Sequence, residues 1–455
     1  NAEDVNEAVK AARSAFDEWR LVPAPKRGEI LKTVGDIMVE RKEDLARIMT
    51  REMGKVIAET RGDVQEGIDT AYYAASEGRR LFGHNAPSEM ENKMNMSFRI
   101  PIGVAGVISP WNFPMAIPTW KIFPALVCGN TVVFKPASDT PATAGEFVKI
   151  LVEAGVPPKV INIVHGTGRG VGTPLVDHPD IDVISFTGSS NVGKIIASSA
   201  GTQLKRVSLE LGGKNAQIVM DDANIDLAIE GVLWGAFGTT GQRCTATSRL
   251  ILHEKIHDIL LEKLKASANS LKIGYGLNED VQVGPLVNEE QRTVVEKYVD
   301  IGLKEGAKLV CGGERATGGD LDDGYFYKPT IFSGVEPEMT IAKEEIFGPV
   351  LSVLKVSSLD EAIKVLNNTV YGLSSSIYTQ DVNSAFKAIR DIEAGITYIN
   401  GPTIGAECHM PFGGVKETGN GHREGGWEVY EFFSETKTVY VDFSGKLQRA
   451  QIDNR

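Results

Sequence analysis

Between residues 102 and 200 the chain alternates short, wholly apolar runs with helical stretches, and this alternation restricts the fold more than any other feature. The runs are 103–109 (GVAGVIS), 130–136 (NTVVFKP), 160–166 (VINIVHG) and 183–189 (VISFTGS). Helical segments such as 143–153 lie between them, and 192–199 follows the last. Strands with no polar face must be covered on both sides, which is the signature of βαβ units in a parallel sheet. A second series follows: strands at 207–213, 215–220 and 248–254, helices at 225–237 and 255–272, and more of the same to about 400. The expected fold class is therefore α/β, with two Rossmann-like parallel-sheet domains.

The flanking segments differ. The first 85 residues are helical in character: Val5, Ala8, Val9, Ala12 and Phe16 keep a 3–4 residue apolar spacing. Further helical segments are expected at 24–60 and 61–82. The period then changes. Residues 94–100 (MNMSFRI) alternate apolar with polar, and 436–443 (TKTVYVDF) do the same at the other end. Both read as edge strands that need partners, either in a surface hairpin or in an assembly element. Residues 401–426 are glycine-rich and read as a loop.

A chain of 455 residues exceeds one ordinary core, so two domains, with or without a small added element, are expected. No apolar run approaches ~18 residues, so no transmembrane helix is expected. The net charge of −12 argues against nucleic acid as a partner. It still permits an anionic ligand in a locally basic pocket. The chain opens on Asn1 at a helix start, which leaves room for a short upstream segment, and nothing in it resembles a signal peptide. The four cysteines, Cys128, Cys244, Cys311 and Cys408, form no CxxC pair, so no metal site is expected. So sparse a set suits reduced thiols in a cytoplasmic protein, with Cys128 and Cys311 read as buried.

Two glycine-rich turns are candidates for phosphate binding. Gly166-Thr167-Gly168-Arg169-Gly170-Val171-Gly172 follows a strand but lacks the GxGxxG spacing. A plain loop is the equal alternative. Phe186-Thr187-Gly188-Ser189-Ser190-Asn191-Val192-Gly193-Lys194-Ile195 nearly spells a P-loop. Its last position would hold Mg²⁺ through Ser or Thr and is Ile195, which weakens an NTPase reading. A strand running into a polar helix start still suits a dinucleotide phosphate.

Four segments are more specific together: Ser109-Pro110-Trp111-Asn112-Phe113-Pro114, Glu210-Leu211-Gly212-Gly213-Lys214, Gly241-Gln242-Arg243-Cys244-Thr245 and Glu344-Glu345-Ile346-Phe347-Gly348-Pro349. Their chemistry is coherent. Hydride leaves readily from a tetrahedral alkoxide, and a thiolate makes one by adding to an aldehyde. The oxyanion needs a fixed donor, which the Asn112 amide and a backbone N–H can supply. The remaining thioester needs a base to activate water, and Glu210 can serve. Taken singly, each residue has an ordinary reading: packing for the cysteine, a turn for the glutamate, a cap for the asparagine.

These segments resemble the aldehyde dehydrogenase superfamily over essentially the whole chain. The resemblance implies Cys244 as nucleophile, Glu210 as base and Asn112 as oxyanion donor. It implies that Lys135, in FKPAS and counted with the catalytic set, contacts the adenosine ribose of NAD or NADP. Gly168, Gly172, Phe186, Gly188, Ser189 and Val192 would flank the adenosine and pyrophosphate. Ile108, Ser109, Pro110, Trp111, Leu211 and Gly212 would line the same cleft, with Glu345 on the nicotinamide ribose and Phe347 beside the nicotinamide. The implied domains are a cofactor domain (1–82 and 102–210, with parts of 412–435), a catalytic domain (211–411) and an oligomerisation element (83–101 and 436–455). A homodimer or homotetramer follows.

Two departures bear on specificity. Many NAD-preferring members carry Glu three residues after the cleft lysine, where this chain has Ser138. Serine removes a charge that would repel a 2′-phosphate, so acceptance of NADP⁺ is expected. Arg243 adjoins the nucleophile and could lock its loop or meet a substrate anion. The loop Gly401–Glu407 lacks a large aromatic, and with Val64-Gln65-Glu66 it is similar to aminoadipate-semialdehyde dehydrogenases. The C-terminal SGKLQRAQIDN is similar to 2-oxoglutarate-semialdehyde dehydrogenases. Both imply an aldehyde with a distal carboxylate, with Phe113, Trp120, Arg243, Gly405 and Ala406 as pocket candidates. Rival readings are non-phosphorylating oxidation of glyceraldehyde 3-phosphate, an acylating enzyme (opposed by Glu210) and a silent structural or binding relative.

Overall fold

The computed structural model describes residues 1–453. Four helices open the chain: α1 (Ala2–Trp19), α2 (Ala24–Glu40), α3 (Lys42–Met53) and α4 (Ile57–Glu77). The helical stretch expected over 24–60 is broken twice. Arg41 leaves helical geometry at φ −103°, and Gly54 takes a left-handed φ of 82° as the cap of α3. A side chain at Gly54 would run into Pro285, so glycine is needed there for space as well as conformation.

Strands β1 (Asn85–Pro87) and β2 (Lys93–Pro101) come next, then β3 (Val104–Ile108), helix α5 (Ala116–Cys128), β4 (Thr131–Lys135), α6 (Pro141–Glu153) and β5 (Ile161–Ile163). A π-turn at Gly168–Gly172 leads into the short helix α7 (Thr173–Asp177). Then follow β6 (Val183–Thr187), α8 (Ser190–Thr202) and β7 (Arg206–Glu210). Strands β3–β7 form a fully parallel sheet in the order β5-β4-β3-β6-β7. Its two faces are covered as the sequence requires. Val5, Val9 and Ala12 of α1 pack with Val104, Val133 and Ile184 on one face, while Leu31, Ile68, Ile122 and Phe123 of α2, α4 and α5 pack with Ala105, Val107 and Phe134 on the other.

The second sheet has seven strands: β8 (Ala216–Val219), β9 (Arg249–His253), β10 (Lys308–Cys311), β11 (Thr330–Ser333), β12 (Val350–Val356), β13 (Ser374–Tyr378) and β14 (Ile396–Ile399). Their order is β10-β11-β12-β9-β8-β13-β14, parallel except for the antiparallel β10. Helices at Ile225–Phe237 and His257–Ser270 cover one face and the helix at Glu289–Lys304 lies on the other. The α/β class with two parallel sheets is what the sequence predicts. Cys311 departs from expectation: it is half-buried, because β10 is an edge strand open on one side, whereas Cys128 is buried within α5. All four cysteines are unpaired.

The alternating segments pair with each other. Strand β15 (Ser434–Asp442) runs antiparallel to β2 over nine residues, from Ser434 against Pro101 to Asp442 against Lys93, and β1 completes a three-stranded sheet. Of the segment 436–455, residues 454 and 455 lie outside the described residues.

Asn130, 0% exposed, fastens three of these parts. Its Oδ1 accepts from the backbone N–H groups of Ile102 (2.8 Å) and Gly103 (3.0 Å), and its Nδ2 donates to the carbonyls of Ala125 and Phe433. Asn130→Ala leaves the Ile102 and Gly103 N–H groups and the Phe433 carbonyl without this partner at the joint of α5, β3 and the approach to β15, while the Ala125 carbonyl keeps the backbone N–H of residue 130. The expected cost is about 2–4 kcal/mol, read as a lowered thermal midpoint by scanning calorimetry.

Candidate active site

Strand order dictates where a ligand can enter. From β3 the chain moves outward through β4 and β5, then returns to lay β6 and β7 on the other side of β3. The crevice at this reversal, outside the C-terminal ends of β3 and β6, is the place where an open parallel sheet offers backbone donors and helix starts to a ligand. Ile108 ends β3, followed by Ser109, Pro110 and Trp111; Lys135 ends β4; Phe186 and Gly188 lie at the end of β6. The Ser189 side chain accepts from Val192 N and caps α8. Gly168 and Gly172 have open space where a Cβ would stand.

These residues fit a dinucleotide. The buried Lys135 amine donates to the Pro136 carbonyl at 2.9 Å, its one bond among the described residues, and so keeps hydrogens for ribose hydroxyls. Burial lowers its pKa, against the pull of Asp139. Lys135 therefore stands with the other candidate cofactor residues at the sheet end. Ser138 is exposed and donates to the Gly166 carbonyl at 3.2 Å, tying the two candidate adenosine loops together. Glu345 accepts from Gly213 N at 2.9 Å, and a side chain on Gly212 would collide with its carboxyl. Phe347, held at a left-handed φ of 56°, sets its ring edge-on to Trp111 with centroids 5.5 Å apart.

Beyond this crevice lies a cleft into which Cys244 and Glu210 both open. Glu210 is the last residue of β7 and is 2% exposed. Its backbone is held by Gly188 N on one side, and Leu211 N is held by the Thr418 carbonyl on the other. Both carboxyl oxygens are buried without a hydrogen-bond partner. Burial pushes this carboxyl well above the ordinary carboxylate range, opposed by Lys121 and Arg423. Cys244 follows a turn in which Thr239 and Thr240 take left-handed φ values of 51° and 57°. Asn215 Nδ2 fixes the Cys244 carbonyl at 2.7 Å. Burial, with Glu345 and Glu210 nearby, pushes the thiol up to about 12. Asn112 donates from Nδ2 to the Gln242 carbonyl at 3.1 Å, two residues before Cys244, and its Oδ1 is unpartnered. One amide hydrogen therefore remains for an oxyanion.

The substrate candidates Phe113, Trp120, Arg243, Gly405 and Ala406 also line this cleft, as does Leu211. The Trp120 ring stands 4.8 Å from that of Phe412. Arg243 is more committed than its position in the sequence suggests. Its Nη2 donates to Glu59 at 2.9 Å and its Nε to Thr239 Oγ1 at 2.9 Å. Glu59 in turn accepts from Thr239 N. The arginine thus braces the strained turn that precedes Cys244. The Phe113 ring lies between two cations, Lys55 at 3.6 Å and Arg243 at 5.3 Å.

Three residues in or behind the cleft escaped sequence reasoning as site residues. Lys121, fully buried on α5, is ion-paired with Glu424 and bonds Ser185 Oγ at 3.1 Å. Glu424 itself lines the cleft, 303 residues away in sequence. Glu66 lines it from α4. The local signals were a lysine in an otherwise apolar helix and the stretch Val64-Gln65-Glu66, read only as a family likeness.

The family model for the aldehyde dehydrogenase family matches residues 1–439. The chain belongs to this family. The alpha-ketoglutaric semialdehyde dehydrogenase of Bacillus subtilis is 44% identical over 440 residues, which span 97% of this chain and 90% of that protein. The 2,5-dioxopentanoate dehydrogenase of Saccharolobus solfataricus is 41% identical, over 96% and 91%. Among solved structures, a putative aldehyde dehydrogenase from Burkholderia cenocepacia superposes with a TM-score of 0.96 at 39% identity, covering 99% of this chain and 92% of that one. Betaine aldehyde dehydrogenase from Staphylococcus aureus, solved with NAD⁺, gives 0.96 at 33% identity, over 98% and 88%. This aldehyde dehydrogenase accordingly oxidises an aldehyde to the acid with NAD(P)⁺ through a cysteine-bound intermediate.

The position of the buried Glu210 carboxyl depends on a glycine. Gly413 has φ +150°, and a Cβ there would lie 2.5 Å from Glu210 Oε1. Gly413→Ala should displace the carboxylate and lower kcat by at least about tenfold. Cofactor affinity, measured by quenching of tryptophan fluorescence, should change little.

Proposed function

We propose that Cys244 attacks the aldehyde, Asn112 and the backbone N–H of Cys244 hold the oxyanion, and Glu210 activates the water that hydrolyses the thioester. The observation that carries this reading is the opening of Cys244 and Glu210 into one cleft, with both Glu210 oxygens unpartnered and the Asn112 amide tied to the nucleophile loop. NAD(P)⁺, when bound, supplies the hydride acceptor. Lys135 and Glu345 would hold its two riboses, and the turns around Gly168, Gly172, Gly188 and Ser189 its phosphates. A buried carboxylate without donors is a strong base for the same reason that it is costly to ionise.

The sequence similarity to proteins named alpha-ketoglutarate semialdehyde and 2,5-dioxopentanoate dehydrogenases supports a carboxylate-bearing semialdehyde as substrate. We assign 1–82 and 102–210 to cofactor binding, 211–411 to catalysis and the three-stranded sheet to self-association. Strand β15 is an outer strand of that sheet, and Tyr440, Val441 and Phe443 are exposed along and just beyond it, which supports a homodimer or homotetramer. Four unpaired cysteines in 455 residues support a cytoplasmic location.

Rapid-mixing kinetics with succinic semialdehyde test the roles. Glu210→Gln should release about one equivalent of NAD(P)H per site in a burst and then turn over at least about a hundredfold more slowly. In the wild-type enzyme the base works ionised, and its pKa lies above the ordinary carboxylate range. Turnover should therefore fall on acidification starting well above pH 4.5. A glutamine variant without a burst removes Glu210 from the hydrolytic step.

Cofactor choice is tested separately. With no carboxylate at position 138, kcat/KM for NADP⁺ should lie within about tenfold of that for NAD⁺. Ser138→Glu should cost NADP⁺ at least about tenfold while sparing NAD⁺. A strong wild-type preference for NAD⁺ overturns the assignment of Ser138.

A further inference from the structure

The turn before the nucleophile is strained over three consecutive residues: Thr239, Thr240 and Gly241 take left-handed φ values of 51°, 57° and 70°. Glycine enters that region freely, but β-branched residues resist it, so the two threonines need outside bonds to stay there. Thr240 donates its hydroxyl to the Gly284 carbonyl at 2.9 Å. Thr239 relies on Glu59, in the first turn of α4. The Glu59 carboxylate accepts from Thr239 N through both oxygens, at 3.0 and 2.8 Å, from the Thr239 hydroxyl at 3.1 Å and from Arg243 Nη2 at 2.9 Å. Arg243 Nε donates to the same hydroxyl at 2.9 Å, so the three side chains close a ring.

Helix α4 holds the oxyanion side as well. Asp63, one helical turn after Glu59, accepts from the Ala116 N–H at 2.7 Å, at the start of α5 and four residues after Asn112. It is fixed in turn by the buried Lys55 at 2.9 Å. Asn112 completes the circuit by donating to the Gln242 carbonyl at 3.1 Å.

We propose that Glu59 is a positioning residue for Cys244, and that Glu59 and Asp63 together make α4 the element that sets the spacing between the thiol and its oxyanion donor. The inference rests on the roles of Cys244 and Asn112 given above. Glu59 is not one of the described residues that line the cleft, so it acts through Thr239 and Arg243. Three donor groups converge on its two oxygens, which only a carboxylate can accept together; a carboxamide would turn an N–H₂ toward one of them. Thr239 is 2% exposed, so an N–H released by Glu59 has no ready access to water. The turn would then relax and carry with it Gln242, which holds Asn112, and Cys244 beyond it. If Arg243 instead met a substrate anion, its guanidinium would have to leave this ring, and freeing it from Glu59 would help that substrate.

The experiment compares the wild-type enzyme with Glu59→Gln, Arg243→Ala and the double variant. It measures kcat/KM for succinic semialdehyde and for butanal, and the rate at which iodoacetamide alkylates Cys244, followed by peptide mass spectrometry at fixed pH. Glu59→Gln should lower kcat/KM for both aldehydes by the same factor, about tenfold or more, because a nucleophile displaced by a fraction of an ångström loses its angle of attack. Alkylation of Cys244 should slow in parallel, while cofactor affinity, read by tryptophan quenching, should hold. The double variant should lose no more than the worse single one, since both residues act in one ring. Should the glutamine variant fail to fold, Arg243→Lys carries the test: it keeps the charge but cannot reach Glu59 and Thr239 together, and both aldehydes should again slow equally. A Glu59→Gln enzyme within about twofold of wild type on both aldehydes, losses that multiply in the double variant, or a gain for succinic semialdehyde over butanal each overturn the proposal. Those results leave aldehyde oxidation standing, whereas a wild-type enzyme inactive on every aldehyde removes that reading and this inference together.

Discussion

The site depends on a carboxylate with no partner. Glu210 is buried at the end of a strand, and neither of its oxygens accepts a hydrogen bond. An ionised carboxylate in such a place costs several kcal/mol unless charge or water compensates it. The protein compensates partly and from a distance. Lys121 and Arg423 favour the charged form without capping either oxygen, and Lys121 is itself paired with Glu424. A direct ion pair would stabilise the ionised form more and make the carboxylate less basic.

Much of the surrounding structure serves to keep that carboxylate in place. Helix α5 carries Lys121 and Trp120 on consecutive residues, so the same rigid element favours the ionised Glu210 carboxylate and walls the cleft. The segment 412–420 closes over Glu210 from the far end of the chain: Thr418 takes the Leu211 N–H, Asn420 takes the Leu209 N–H, and Gly413 leaves room for the carboxyl. Bonds spanning more than 200 residues thus decide the position of one side chain.

The limits of sequence reading follow from the same facts. Strands β3, β4 and β6 were legible because each is a short apolar run ended by a polar or glycine-rich turn. Helix α5 was not, because all thirteen of its residues are buried, lysine included, and a helix without a polar face shows no 3.6-residue period. The break at Arg41 left no glycine or proline to read. At the site, Cys244, Glu210 and Asn112 were recognisable jointly by their motifs. Lys121, Glu424 and Glu66 were not, since a lone charge in a helix or loop looks solvated until tertiary packing encloses it.

Packing also changes the meaning of Arg243. Beside the nucleophile in sequence it is an available cation; in the fold its charge is matched by Glu59, which also holds the Thr239 backbone. Binding a substrate anion there would compete with the brace on the turn before Cys244, so affinity would be gained by loosening the nucleophile.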